Sequence, residues 1–145
     1  MNTRLEIQNM ALSRVKEAKV LFRNHLYDAA IYMAGYSIEL AFKAAICKTL
    51  DIDDFFSPNK HPEAKSLKTH KLDDLLKFSG LFTKFEIEKS SNPHFYAQWS
   101  HLKTVWSEQL RYEPIGKTQR QDAKKLLFAI EDPKKGILPW IQKHW

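Results

Sequence analysis

The sequence predicts an all-α protein, a helical bundle with no sheet. Apolar residues recur at three- and four-residue spacings along most of the chain, the period of one helix face. Only four glycines occur in 145 residues, too few for a sheet of hairpin turns. The length fits one domain spanning residues 1–145, large enough to bury a core without disulfides or metals.

The first helix is expected from about Asn2 to Asn24. Ala11, Val15, Ala18 and Phe22 fall on its inner face, with Arg14, Lys16, Glu17 and Lys19 outside it. The second is expected to start at Asp28, whose side chain suits an N-cap. Between Ala29 and Cys47 the only charged residues are Glu39 and Lys43, so this helix should be central and buried. The two charges interrupt any run of about 18 uncharged apolar residues, which argues against a membrane span. Gly35, with Ala30, Ala34, Ala41 and Ala45, makes the helix thin. A neighbour can therefore approach closely, either within the chain or across a dimer.

Residues 51–69 hold Pro58 and Pro62, lack a period and read as a long connection. A short helix follows from about His70 to Ser79 on Leu72, Leu75 and Leu76, with Gly80 ending it. Asn92-Pro93 reads as an N-cap with proline at the first helical position. Phe95, Trp99, Leu102, Trp106 and Leu110 continue that helix until Arg111-Tyr112-Glu113-Pro114 closes it. Gly116 supplies a turn, and Thr118 with Gln121 forms a capping-box pair. Ala123, Leu126, Leu127 and Ile130 carry the next helix. Asp132-Pro133 breaks it, and Ile137, Leu138, Trp140 and Ile141 pack the tail.

The net charge is +6, which suits nucleic acid, nucleotides or an acidic protein, and equally serves plain solubility. The lone cysteine, Cys47, excludes an internal disulfide and reads as inert core. The start MNTRLEIQNM has no apolar signal core, so a cytoplasmic location is expected. There is no GxSxG, no glycine-rich phosphate loop and no CxxC. Six histidines lie scattered without metal-ligand spacing, so no metal and no cofactor is expected.

Two pairs stand out. Glu39 and Lys43, four apart on an apolar helix, either fix helix register as a matched buried pair or line a polar cleft. Arg111 and Tyr112 at a helix end either cap it or hold a phosphate with a ring beside it for a base. The basic stretch Lys117, Arg120, Lys124, Lys125, Lys134 and Lys135 is either a solvated face or a phosphate track.

The run YDAAIYMAGYSIELAFKAAI resembles the signature helix of the HEPN domain family, through Glu39, Lys43 and Ala44. HKLDDLL from His70 to Leu76 is similar to the family's histidine-leucine helix opening. LRYEP from Leu110 to Pro114 is similar to the segment that ends its long helix. The resemblance implies a four- to five-helix up-and-down bundle that commonly forms homodimers. It also implies a nucleotidyltransferase-type partner protein, in toxin–antitoxin or phage-defence systems. On this resemblance Arg111 and Tyr112 stand as the catalytic, phosphate-holding residues, and Glu39, Lys43 and His70 line the nucleotide or RNA cleft. Many members are metal-independent ribonucleases with a histidine four to six residues after an arginine. Here Arg111 is followed by YEPIGKTQ, and Arg23 and His25 are too close to fit. The resemblance thus carries RNA or nucleotide binding further than ribonuclease activity. The rival expectation is a non-catalytic protein-interaction subunit.

Overall fold

The computed structural model describes residues 3–145, so the expected helix start at Asn2 lies outside them. Helix α1 runs Arg4–Arg23 and α2 runs Tyr27–Leu50. Thr3 caps α1 in a reciprocal box with Glu6, each side chain taking the other's backbone N–H. A three-residue turn folds α2 back along α1, and the Arg4 N–H then donates to the Asp53 carbonyl at 2.7 Å, where α2 has ended. Ile7, Ala11, Val15 and Ala18 are the buried face of α1.

The central helix is α2. It packs on α1, on α6 (Arg120–Glu131) and on two short helices, α3 (Leu72–Phe78) and α7 (Ile137–Gln142). It is long and apolar enough to cross a membrane, yet 83% of its most apolar window is buried inside the bundle, as for a core helix. Asp28 is not its N-cap: Leu26 holds that position and the helix starts at Tyr27. The Asp28 carboxylate instead accepts from the backbone N–H groups of Gly116 (2.6 Å) and Thr118 (2.9 Å). Those bonds, with the Thr118 hydroxyl as the largest influence, hold its pKa below the usual carboxylate value.

Helices α4 (Phe82–Ser91), α5 (Pro93–Val105) and α6 (Arg120–Glu131) complete the bundle. Gly80, at φ +75°, turns the chain between α3 and α4. The Asn92 side chain caps α5 as expected, accepting from the Phe95 N–H. Phe85, Phe95, Trp99 and Trp140 meet in tilted and edge-to-face pairs that join α4, α5 and α7. Trp99 also packs edge-on against Phe42 of α2.

No strand occurs among the described residues, and the all-α expectation holds. The elements are more numerous than expected because short helices form in the connections. Pro62–Leu67 is a 3₁₀ helix inside the predicted loop. Helix α4 has only Phe85 as a buried residue, too few apolar positions to announce a period. The capping box expected at Thr118 is absent: Gln119 precedes α6 and makes no side-chain cap.

The largest departure is in α5. Its apolar period continues to Leu110, but the helix stops at Val105. Trp106 takes extended backbone, and Glu108–Tyr112 forms a 3₁₀ turn. The reason is Gly35. The Trp106 indole lies where a Cβ on residue 35 would sit, and its Nε1–H donates to the Tyr32 carbonyl at 3.0 Å. The thin face of α2 is therefore filled from within the chain by one tryptophan.

Candidate functional site

Between Ala29 and Cys47 the large polar side chains of helix α2 lie on one stripe. Tyr32, Tyr36, Glu39 and Lys43 follow spacings of four, three and four, so they share a face. Tyr32 and Tyr36 stack with centroids 6.2 Å apart. Burial first, then Glu39 and Tyr32, push the Tyr36 phenol above its ordinary pKa.

Glu39 is 1% exposed and Lys43 is 5% exposed, and Lys43 Nζ donates to Glu39 Oε1 at 2.6 Å. That satisfies one carboxylate oxygen of a group that cannot be left bare in an apolar core. His70 adds a second partner. Its Nδ1 lies 3.0 and 3.1 Å from the two Glu39 oxygens. Its Nε2 faces Glu108 Oε2 at 3.2 Å. A histidine thus stands between a buried carboxylate and a half-buried one. A neutral imidazole has one N–H to give, whereas the imidazolium donates to both.

Glu108 also faces Arg111, whose Nη2 lies 3.8 Å from the same Oε2. The Arg111 guanidinium carbon sits 5.1 Å from the centre of the Tyr112 ring. Tyr112 is the largest influence raising the Arg111 pKa, so that group stays charged. Both residues are exposed, Tyr112 at 71%. They sit in a 3₁₀ turn rather than at the end of an α-helix, because α5 ended at Val105. The expected cap role of Arg111 at an α-helix terminus therefore does not apply.

The polar groups form a continuous line from the core to the surface: Lys43, Glu39, His70, Glu108, Arg111, Tyr112. All five residues singled out in the sequence lie on it. What the sequence reading missed is Glu108, which bridges His70 to Arg111, and Tyr32 and Tyr36 beside them. The tyrosines were findable, since they continue the Glu39–Lys43 face by helical spacing. Glu108 was not, since its neighbours depend on where α5 breaks. A groove of about 480 Å³ opens on this line, with His70, Lys71, Lys103, Trp106 and Glu108 among its walls.

The other candidates fall elsewhere. Cys47 is buried, and burial raises its thiol pKa, which suits inert core. His94 and His101 form no ligand set: among the described residues no group of three or more His, Cys, Asp or Glu converges as a metal would need. Trp99 is buried in the core, and Trp106, equally buried, forms a wall of the groove at His70.

The fold and this line of groups define a class: a helical bundle whose central apolar helix carries a matched buried ion pair leading to an exposed arginine and tyrosine. Residues 6–56 match the family model described as HEPN domain, which bears out the family resemblance read from the second helix. The match covers α1, α2 and the turn after them, and so includes Glu39 and Lys43. His70, Glu108, Arg111 and Tyr112 lie beyond it. No curated protein and no solved structure matches the chain.

Proposed function

We propose that the cleft walled by His70 and Glu108, with Arg111 beside it, binds the phosphate of RNA or of a nucleotide. The observation that carries the reading is the sharing of one carboxylate oxygen, Glu108 Oε2, by His70 and Arg111. At 3.8 Å the Arg111 contact to Glu108 is long for a charge-assisted bond, so that carboxylate does not saturate the guanidinium, which also donates a hydrogen bond to the Tyr32 side chain. A phosphate offers it the bidentate geometry that a single carboxylate oxygen does not. Tyr112 presents an exposed ring beside it on which a base can stack. Lys43 neutralises the buried Glu39 carboxylate, so that group adds no net negative charge to the line. The HEPN match supports a nucleotide- or RNA-related role in general.

The family pattern places a histidine shortly after an arginine in sequence. Here His70, from another segment of the fold, shares the Glu108 carboxylate oxygen with Arg111. If a phosphodiester is cleaved at this site, the substrate's own ribose 2′-hydroxyl attacks the phosphorus and the 5′-oxygen leaves. The protein would then supply positioning, proton transfer at His70 and charge at Arg111.

The same resemblance supports a homodimer, and a toxin–antitoxin or defence setting with a nucleotidyltransferase-type partner. A protein contact has one specific observation in its favour: Leu26 (54% exposed) and Ile115 (99% exposed) line a common notch.

Arg111→Ala tests the reading. It should weaken binding of a short single-stranded RNA or of AMP at low salt, with the melting temperature nearly unchanged. Lysine should rescue in part only. A clear loss of stability with unchanged affinity would make Arg111 a structural residue and leave the protein-interaction reading ahead.

A further inference from the structure

A second groove, of about 530 Å³, runs between α3, α4 and α5. Its floor is aromatic. Phe85 and Trp99 are buried there, with ring centres 5.0 Å apart. Two rings stay half exposed on its walls, Phe82 at 44% and Tyr96 at 41%. Cations flank them. Lys89 Nζ lies 4.8 Å over the Tyr96 ring and 4.0 Å from Glu86 Oε1, Lys77 lines the wall, and Lys103 pairs with Asp73.

Asp73 and Lys103 line this groove and also the groove at His70 and Glu108. The two cavities are therefore neighbouring compartments divided by one ion pair. Exposed π-faces set between ammonium groups match a flat aromatic group carrying a negative charge. A purely aliphatic ligand would desolvate the lysines without pairing them. An acidic peptide would pair them and leave the ring faces unused.

We propose that this groove is a base-stacking subsite for single-stranded RNA. It takes a nucleotide adjacent to the one held at Arg111 and His70. The base lies on Tyr96 and Phe82, and the backbone passes the Asp73–Lys103 divide with its phosphate on Lys77. The inference rests on the phosphate-binding reading of the first cleft and adds to it a strand, where a free nucleotide fills only one compartment.

The test uses the full chain and two probes, a labelled single-stranded RNA octamer and AMP. Tyr96→Leu keeps an apolar side chain and removes the ring. It should weaken the octamer roughly five- to a hundredfold, the range for one stacked base, and leave AMP unchanged. Tyr96→Phe should bind the octamer as the unaltered protein does. Lys77→Ala should weaken the octamer and lower the slope of log affinity against log salt by about one or less. It provides the reading should Tyr96→Leu fail to fold. Octamer binding lost in Arg111→Ala yet unchanged in both groove variants would overturn the subsite and leave the cleft standing. AMP weakened by Tyr96→Leu as much as the octamer would make the groove a free-nucleotide site and overturn the strand. No binding of either probe to the unaltered protein would overturn both readings.

Discussion

Gly35→Ala places one methyl group where the structure leaves no room. In an exposed helix interior this change stabilises by about 1 kcal/mol, because alanine is the better helix former. At residue 35 a Cβ would lie under 3.0 Å from three atoms of the Trp106 indole. The indole cannot swing out cheaply. It is 5% exposed, and releasing an aromatic of that size returns ~150–250 Å² to water, several kcal/mol at ~25 cal/mol per Å². The lower-cost response is a shift of residues 105–107 away from α2. Such overpacking costs about 1–3 kcal/mol, and loosening the 3.0 Å bond from Nε1 to the Tyr32 carbonyl costs about 1 more. Set against the helix gain, the net loss is about 1–3 kcal/mol. Urea denaturation reads it directly, and the melting temperature should fall by roughly 2–10 °C. Because Trp106 begins the segment that carries Glu108 and Arg111, RNA affinity should fall as well. A double-mutant cycle isolates the contact: in a Trp106→Ala background the same Gly35→Ala change should stabilise. A single Gly35→Ala variant stabilised by about 1 kcal/mol would refute the packing argument.

The buried pair and one histidine give two further expectations. Lys43→Ala strands a carboxylate that is 1% exposed and should destabilise by ~3–5 kcal/mol, toward the lower end because His70 Nδ1 remains 3.0 Å away. Replacing Glu39 with leucine and Lys43 with methionine together should cost markedly less, and equal small losses on chemical denaturation would show the pair to be solvated. Burial first, then Lys125, depresses the His101 pKa, and its Nε2 is buried without a partner. The folded state therefore favours the neutral ring, while the unfolded chain protonates near pH ~6.5. Stability is full above that value and declines as pH falls through it toward the lower folded pKa. Melts at pH 7.5 and 5.5 should show the decline, and His101→Leu should remove part of it; an unchanged difference would exclude His101 as its source.

How much was legible depends on the range of the interaction responsible. Helix faces are local. Ala11, Val15 and Ala18 are buried because residues three and four apart share a side, and the same rule marks Leu126, Leu127 and Ile130 of α6. The near absence of charge in α2 announced a central helix, and chemistry alone required Glu39 and Lys43 to be matched. The start signal at Asn92-Pro93 and the stop signal at Asp132-Pro133 act through neighbouring backbone and were equally plain.

Tertiary packing decided the rest. The apolar period of α5 runs past Trp106, and nothing local ends the helix there; a missing side chain on α2 at Gly35 does, from far along the chain. That break sets Arg111 in a 3₁₀ turn and brings Glu108 to His70. Asp28 has the chemistry of an N-cap, but the backbone N–H groups of Gly116 and Thr118 compete for its carboxylate and win. His70 meets Glu39 across 31 residues of sequence. The sequence by itself determined the all-α class, the buried faces of the long helices and the charge that had to be paired. Which groups complete the pairing depended on the packed bundle, because a carboxylate is satisfied by whichever donors the fold brings within about 3 Å, and sequence spacing does not record that distance across a loop.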